Sequence, residues 1–152
     1  MAKQAKAAAG RRDPYRNFRF RVEIDGLAAA GFSEVSIGES GTDVIDYREG
    51  NEPTRVRKLP GLRKFANVTL KRGMTASMDL YDWHKQIMDG AIGAARRNVA
   101  VTVLDQSGAD AARFVFRDAW PVKYQPGDLN GKGNEVLIEL LELVNEGIER
   151  VQ

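Results

Sequence analysis

The sequence predicts a mostly β domain of the α+β class, an antiparallel β-barrel or sandwich of about six or seven strands with one flanking helix. Three observations lead to this fold class. Several stretches alternate apolar and polar residues, only one stretch has a clear helical period, and Gly, Asp, Ser and Pro separate the stretches. With 152 residues, the chain is long enough for one domain with a substantial core.

The strand predictions follow the chain in order. The clearest covers residues 18–24, in which four apolar residues alternate with three charged ones and so form one apolar face. Further strands are predicted at 31–37, 42–47, 66–73, 98–105 and 112–120. Pro121 is predicted to end the last of these or to mark a sheet edge, because proline cannot donate to a strand ladder.

One helix is predicted at about 77–89. Apolar residues recur at helical spacing from Leu80 to Met88. Ser77 is a candidate N-cap and Gly90 a candidate stop. A single helix cannot form a bundle, so we expect it to flank the β structure.

The segment 134–149 carries conflicting signals. Its glutamates fall at intervals of four, three, four and three residues, which is typical of a helix. Val136, Ile138 and Leu140 alternate instead, as they would in a strand. Periodicity alone favours the helix.

The most unusual part of the sequence is residues 47–73, which we call the charged segment. It contains eight Lys or Arg residues against two Glu residues, and Pro53 and Pro60 interrupt it. Loops longer than about 12 to 15 residues are uncommon in compact domains and tend to be functional or disordered. We therefore expect the charged segment to have a binding partner.

Charge is segregated along the chain. Residues 1–12 carry four basic residues and no acid, and we expect them to form a flexible basic arm ahead of a single domain at 13–152. Since the net charge is +2 and the charged segment contributes an excess of six positive charges, the remainder is strongly negative. Five glutamates lie in 134–149 without a basic residue. Such charges can neutralise each other within the fold or between copies packed head to tail.

Several classes of protein are disfavoured. The chain has no cysteine, which excludes disulfides, thiolate metal sites and a cysteine nucleophile. No apolar run approaches the roughly 20 residues of a membrane span, and the first residues lack the apolar centre of a secretion signal. We expect synthesis in the bacterial cytoplasm and no membrane anchor.

The candidate catalytic and phosphate-binding motifs in the sequence do not meet the spacing or residue types that such motifs require. His84 is the single histidine, and Asp82, two residues away, would point to a different side of a helix, so a packed or surface histidine is expected. The glycines and Lys132 in 127–134 resemble a phosphate-binding loop, but the spacing is one residue short and Gly133 replaces the Ser or Thr. We expect no enzymatic activity and no cofactor or metal.

A small basic nucleic-acid-binding β domain is the alternative function. Aromatic and basic residues interleave in 18–22, as they do in strands that stack on bases, and the charged segment could bind phosphates. However, Phe18 and Phe20 share a face with Val22 and Ile24, which is typical of a core face.

Blocks of sequence along the chain together resemble one known family. They are DPYRNFRFRVEIDG at 13–26, GFSEVSI at 31–37, IDYREGNEPTRVRKLPGLRKFANVTLKRG at 45–73, DLYDWH at 79–84 and NEVLIELLELVNEGIER at 134–150. In this order they resemble the inner tube proteins of contractile phage tails and phage-tail-like injection systems. The resemblance runs from about Asp13 to the C-terminus.

The resemblance implies a structural subunit with a β-barrel-like domain, six copies to a ring, and rings stacked into a hollow tube inside a contractile sheath. The implied partners are the chain itself, the sheath protein, baseplate and terminator proteins, and DNA or protein cargo in the lumen. The implied location is the tail of a virion or of a phage-tail-like particle. The resemblance also favours a strand over a helix for about 135–143.

The resemblance further implies that the charged segment reaches between neighbouring subunits. We expect its basic residues to lie at subunit contacts, some of them facing the late glutamates of another copy, and its leucines and Pro60 to be the apolar anchor. The predicted contact residues are Arg48, Arg55, Arg57, Lys58, Leu59, Pro60, Leu62, Arg63, Lys64, Glu139 and Glu142.

Overall fold

The computed structural model describes residues 19–27, 31–48, 50, 56–127, 129, 131–133 and 136–152. These residues form nine strands and two helices. The strands are β1 (Phe20–Ile24), β2 (Phe32–Ser36), β3 (Ser40–Tyr47), β4 (Arg57–Phe65), β5 (Val68–Gly73), β6 (Arg97–Leu104), β7 (Asp110–Pro126), β8 (Ile138–Val144) and β9 (Gly147–Arg150). The helices are α1 (Asp79–Met88) and α2 (Ile92–Ala95).

Seven strands form one antiparallel sheet, and β3 and β4 form a separate two-stranded hairpin. The order in the large sheet is β1-β6-β7-β8-β5-β2, with β9 also pairing with β7. The 17-residue strand β7 pairs with β6 and β9 through its first half and with β8 through its second half. The predicted fold class is therefore confirmed: a mostly β, antiparallel structure with flanking helix.

The long strand β7 changes course in its middle. Asp118 has a φ of 50°, a left-handed conformation that is uncommon for a residue other than glycine. Its N–H donates to the side-chain oxygen of Asn98 at 3.1 Å, and the carbonyl of Arg117 accepts from the N–H of Glu146 at 2.9 Å. These hydrogen bonds hold the bend at which β7 leaves one half of the sheet for the other.

The sheet is a sandwich and is not closed into a barrel. The strands β1 and β2 stand at its two ends, and within the described residues they do not pair with each other. A cleft of about 300 Å³ opens between them, lined by Phe20 and Arg19 on one side and by Glu34, Val35 and Ile37 on the other. Of the two predicted architectures, the sandwich is confirmed.

The core lies between the two halves of the sheet and under α1. It contains Val22, Ile24, Val68, Leu70, Leu80, Trp83, Ala95, Val99, Val101, Phe116, Ala119, Leu141 and Leu143. Phe20 packs against this cluster, whereas Arg21 and Glu23 are exposed. The alternation predicted for β1 is thus confirmed, and its apolar side chains are core residues.

The predicted helix is confirmed with modified ends. Met78 occupies the N-cap position without a side-chain cap, so Ser77 is not the N-cap; its hydroxyl accepts a long hydrogen bond of 3.4 Å from the N–H of Asp79. Gly90, with a φ of +86°, follows the C-cap Asp89 and ends the helix as predicted. The short helix α2 was missed, because four residues are too few to show a period.

The charged segment has more regular structure than its composition suggests. Residues Arg57–Phe65 form β4, which pairs with β3, and Val68–Gly73 form the predicted core strand β5. The loop expected ahead of the strand predicted at 66–73 is therefore replaced over 57–65 by a strand, and the strand prediction itself is confirmed. Pro60 fits because β4 pairs with a neighbour only on its β3 side among the described strands.

The C-terminal segment is a strand, as the family resemblance favoured. β8 spans Ile138–Val144, and β9 follows after a two-residue interruption. Pro121 lies within β7, which continues to Pro126; the edge prediction for Pro121 is confirmed, because this half of β7 pairs with β8 alone. Gln125 and Pro126 are the last two residues of this strand.

Neither helix in the described part of the chain is long and apolar enough to cross a membrane. The basic arm predicted at 1–12 lies outside the described residues. The single domain expected for 13–152 stays a prediction.

Candidate assembly surface

The β3–β4 hairpin, residues 40–47 and 57–65, carries most of the predicted contact residues. It is joined to the large sheet by two short linkers, 37–39 after β2 and 66–67 before β5. The N–H of Ala66 donates to the carbonyl of Glu39 at 2.9 Å, and the Asn145 amide donates to the carbonyl of Ala66 at 3.1 Å. We call these two linkers the neck of the hairpin.

Gly38 allows the two linkers of the neck to touch. A Cβ atom on Gly38 would lie 2.7 Å from the carbonyl oxygens of both Ala66 and Asn67, closer than real Cβ atoms approach backbone. Only glycine therefore fits this position without displacing the backbone. The direction in which the hairpin leaves the sheet depends on this contact.

The hairpin register places alternate residues on two faces. The register shifts between Thr42 and Val44, so Arg63, opposite Thr42, lies on the face of Val44 and Lys58. Ile45 pairs with Leu59 and Tyr47 with Arg57, so these four side chains lie with Gly61 on the other face. We call this the arginine face. Consistently, a Cβ on Gly61 would lie 3.1 Å from the Cγ1 of Ile45.

The hairpin exposes an unusual amount of apolar surface. Leu62 is 76% exposed and Val44 is 62% exposed, and Ile45, Tyr47, Val56 and Leu59 are also exposed. Isolated exposed apolar residues need no explanation, but a cluster on one protruding element marks an interaction surface. The predicted anchor residues Leu59, Pro60 and Leu62 all belong to this cluster.

Two predicted contact residues form ion pairs inside the hairpin. Lys58 Nζ lies 3.0 Å from Asp46 Oδ1, and Lys64 Nζ lies 3.0 Å from Asp43 Oδ1. Both pairs are exposed and contribute little to stability, but they neutralise the lysines locally. Lys58 stands on the face opposite to the arginine face, whereas the Lys64–Asp43 pair stands on the arginine face.

The predicted arginines are placed as follows. Arg57 is exposed on the arginine face, Arg63 is exposed on the opposite face, and Arg48 is exposed just after β3. Arg63 has no carboxylate within 4.0 Å among the described residues. Arg55 lies outside the described residues.

The two predicted glutamates differ in their environments. Glu142 is partly buried beside the neck, where its Oε2 accepts a hydrogen bond of 3.0 Å from the Asn67 amide. Glu139 is 2% exposed and faces the interior of its own subunit. The expectation that Glu139 faces another copy is therefore corrected, since its carboxylate is bonded within the chain.

Glu139 belongs to a buried polar network at the end of the core. Its Oε1 accepts from Arg72 Nε at 2.6 Å, and its Oε2 accepts from the Tyr124 hydroxyl at 2.6 Å. The Arg72 guanidinium also lies 5.7 Å from the centre of the Phe32 ring. Burial, and then the hydrogen bond to Glu139, raise the pKa of Tyr124 to about 12.

The sequence analysis missed a second exposed surface, which we call the outer stripe of α1. It faces away from the buried residues Leu80 and Trp83. The stripe consists of Met78, Tyr81, Asp82, Lys85, Met88 and Asp89, all exposed. Its signal was visible in the sequence, because these positions recur at three- and four-residue spacing.

No group of three or more His, Asp or Glu residues in the described part of the chain could hold a metal ion. His84 is partly buried and stacks against Tyr124, with 6.4 Å between the ring centres. Tyr81 meets the same ring edge-on at 5.6 Å. The packed-histidine prediction is therefore confirmed.

A family model described as T4-like virus tail tube protein gp19 matches residues 16–149. No curated protein sequence matches the chain.

Solved structures with similar folds come from contractile injection systems. A chain in the cryo-EM structure of the anti-feeding prophage (AFP) baseplate, 6-fold symmetrised, is 22% identical with a TM-score of 0.76, over 93% of this chain and 97% of that chain. A chain in the PVC sheath-tube complex in the extended state, an extracellular contractile injection system, is 19% identical with a TM-score of 0.77, over 99% and 97%.

A more distant similarity is to Hcp1 from Flavobacterium johnsoniae, at 15% identity and a TM-score of 0.52, over 87% of this chain and 94% of that chain. At these identities the three similarities establish the fold.

Proposed function

Because the chain belongs to the T4-like virus tail tube protein gp19 family, it is a structural subunit of a tail tube, and we propose that six copies close into a ring and that rings stack into a hollow conduit. The observation that carries this proposal is the family match over residues 16–149, nearly the whole chain. The ring of six is supported by the sixfold symmetry of the AFP baseplate that contains a similar chain.

The protruding hairpin suits such an assembly. A contact between two different surfaces of the same chain repeats from copy to copy, so it generates a ring when the rotation closes and an open polymer when it does not. The exposed apolar and basic residues of the hairpin supply one such surface. We propose that Arg48, Arg55, Arg57, Lys58, Leu59, Pro60, Leu62, Arg63, Lys64 and Glu142 lie at subunit contacts.

Free sheet edges support assembly in a second way. Among the described strands, β1, β2 and β9 each have a neighbour on one side only. Unpaired strand edges invite pairing with other chains, and pairing between subunits would cover them. A wall of paired strands from successive subunits would then enclose the lumen.

We propose that the tube works passively. A sheath contracts around it, a baseplate and a terminator protein define its ends, and DNA or a protein cargo passes through the lumen without any bond being broken by this chain. Similar chains occur in the AFP baseplate and in a PVC sheath-tube complex. The subunit would be made in the bacterial cytoplasm and function in the tail of a virion or a phage-tail-like particle.

The alternative, a free nucleic-acid-binding domain, has less support. The apolar side chains of β1, Phe20 among them, pack in or against the core and do not present a stacking platform. The oligomeric state of the purified chain distinguishes the two functions, because a tube subunit assembles into rings or rods and a nucleic-acid-binding domain stays small.

The test is negative-stain electron microscopy of the purified chain at low and high salt, together with sedimentation. Hollow rings or rods with sixfold end views are expected. A chain that stays monomeric with and without added baseplate protein, and that shifts labelled DNA with a steep salt dependence, would favour the nucleic-acid-binding domain.

A further inference from the structure

We propose that strand pairing in the β3–β4 hairpin is coupled to assembly. In the free subunit the two strands open and pair again while the rest of the fold stays intact, and in the tube they are held paired by neighbouring copies of the chain. The hairpin is thus a conformational switch between the free and the assembled subunit. This inference rests on the proposed function, because only an assembled tube supplies the neighbouring copies.

The hairpin has no core of its own. Within the described residues, β3 and β4 pair only with each other, and no residue of either strand belongs to the hydrophobic core. Seven of the eight residues of β3 and seven of the nine residues of β4 are exposed. A two-stranded hairpin is at best marginally stable in water, because independent stability needs a third strand or a packing partner. A single subunit therefore does little to hold the hairpin paired.

The ladder between the two strands is weakened along its length. Its register shifts between Thr42 and Val44, which interrupts the pairing locally. Gly41, Pro60 and Gly61 also lie within the two strands. Glycine and proline are among the residues least suited to strands, so the backbone itself favours pairing only weakly.

The side-chain pairs across the ladder add little stability. Lys58 and Asp46 form an ion pair whose side chains are 68% and 65% exposed, and such pairs contribute little in water. Ile45 and Leu59 stand opposite each other but are 51% and 44% exposed, so much of this apolar pair is in contact with water. Both pairs would be strengthened by a surface that excludes water from them.

The neck limits how far an opening can spread. The N–H of Ala66 donates to the carbonyl of Glu39, and the Asn145 amide donates to the carbonyl of Ala66. Directly after the neck, Val68 and Leu70 on β5 are fully buried. Proteins open locally in contiguous units that have few buried apolar contacts. The hairpin is such a unit, and its opening can stop at the neck without disturbing β5.

A neighbouring copy can supply the cover that the hairpin lacks. Val44 on β3 and Leu62 on β4 are both largely exposed, and a surface that contacts both strands at once binds only the paired hairpin. Such a surface shifts the equilibrium towards the paired state. Conversely, the apparent affinity between subunits falls in proportion to the fraction of hairpins that are paired.

The test is hydrogen–deuterium exchange of the unsubstituted chain, below and above the concentration at which it assembles. Pro60 has no N–H, so it forms a non-hydrogen-bonded pair with Val44, and the adjacent Ile45 and Leu59 form a hydrogen-bonded pair. The amides of Ile45 and Leu59 therefore report on pairing in the hairpin. The reference is β8, which lies between β7 and β5 in the large sheet.

In the free subunit, the amides of Ile45 and Leu59 are expected to exchange roughly a hundredfold faster than those of β8, and to become protected on assembly. Hairpin amides that are as protected as β8 in the free subunit overturn the proposal and leave the tube function intact. Tubes in which the hairpin amides exchange as fast as in the free subunit do the same. A chain that forms no ring or tube under any condition contradicts the tube function, and the coupling fails with it.

A disulfide across the hairpin gives an independent test, because the chain has no native cysteine. The double variant Asp46→Cys with Lys58→Cys joins two positions that stand opposite each other and whose side chains already meet. Its oxidised form cannot open, and it is expected to assemble at about one-tenth of the concentration that its reduced form needs, because the hairpin is already ordered before association.

Equal assembly concentrations for the two forms, or a higher one for the oxidised form, contradict the proposal. The single variant Asp46→Cys, treated with the same oxidant, controls for the oxidant alone. Lys58 is itself a predicted contact residue, so if neither form of the double variant assembles, the exchange of the unsubstituted chain decides the question.

Discussion

Arg72 and Glu139 stand directly opposite each other on β5 and β8, and their side chains form a buried ion pair with 2.6 Å between Nε and Oε1. Their neighbours on the core face are aliphatic: Val68 and Leu70 precede Arg72 on β5, and Leu141 and Leu143 follow Glu139 on β8. A buried ion pair costs desolvation energy that its attraction repays only with good geometry and further hydrogen bonds. Here Tyr124 supplies one such bond.

We predict that Glu139→Leu destabilises the subunit by about 3 to 5 kcal/mol, because it leaves the Arg72 charge buried without its partner. The double variant Arg72→Met with Glu139→Leu should recover most of this loss. Urea unfolding of the two variants measures both free energies. Equal losses in the single and double variants would show that the two residues are not coupled.

We predict a specific pH dependence from Tyr124. Its pKa is raised to about 12 in the folded protein, from about 10 in an unfolded chain. As the pH rises above about 10, the unfolded chain releases the proton first, so the free energy of unfolding falls until about pH 12 and is unaffected below pH 10. The Tyr124→Phe variant should lack this part of the decline. If the free energy of unfolding falls equally in the unsubstituted protein and in Tyr124→Phe between about pH 10 and pH 12, Tyr124 is not the group responsible.

We predict that Gly38→Ala disturbs assembly more than it disturbs the core. The added methyl group meets the carbonyls of Ala66 and Asn67 at the neck and must turn the hairpin away from its position. Gly41→Ala is the matched control, because nothing lies within 4 Å of its Cβ position. Sedimentation should show fewer assemblies for Gly38→Ala only. Equal amounts of assembly from both variants would show that the neck contact does not control assembly.

We predict that reversing Arg57 and Lys58 to glutamate abolishes tubes and leaves a folded monomer. Both side chains are exposed, so the core should be unaffected, as thermal unfolding followed by circular dichroism can verify. Exchanging them as Arg57→Lys with Lys58→Arg keeps the charge and should preserve assembly. Normal tubes from the glutamate variant would exclude the basic residues from the contact.

The sequence was most informative where one face of an element is buried. The alternation around Val22 and Ile24 predicted β1, and the spacing of Leu80, Trp83 and Ile87 predicted α1, because packing in or against the core imposes these patterns. The strand β4 gave no such signal. Seven of its nine residues are exposed on a protruding hairpin, so no core face constrains them.

The glutamate spacing in β8 has a structural explanation. Glu139 lies on the core face with Leu141 and Leu143, whereas Glu142 lies on the other face beside Asn67. One glutamate on each face gives an interval of three, which resembles a helix. A sequence cannot reveal that a glutamate is buried until its partner Arg72 is known to stand opposite it.

The sequence predicted which segment carries most of the candidate contact residues, but it did not predict how their side chains are arranged. Composition identified the basic residues of the hairpin, but the ion pair between Lys58 and Asp46 depends on a register that only β3–β4 pairing defines. The outer stripe of α1 was overlooked because exposed methionines at helical spacing resemble core residues. Only the structure distinguishes an outer stripe from a core face here, because it shows that Met78 and Met88 are each 57% exposed.

The bend of β7 has a mechanical consequence. Because one continuous chain passes from the half of the sheet paired with β6 to the half paired with β8, a force applied to either half reaches the other through covalent bonds. Sliding the halves apart would require rupture of hydrogen bonds in both at once. A tube built from such subunits would resist shear within each subunit. A load along the tube axis would therefore break the contacts between neighbouring subunits first.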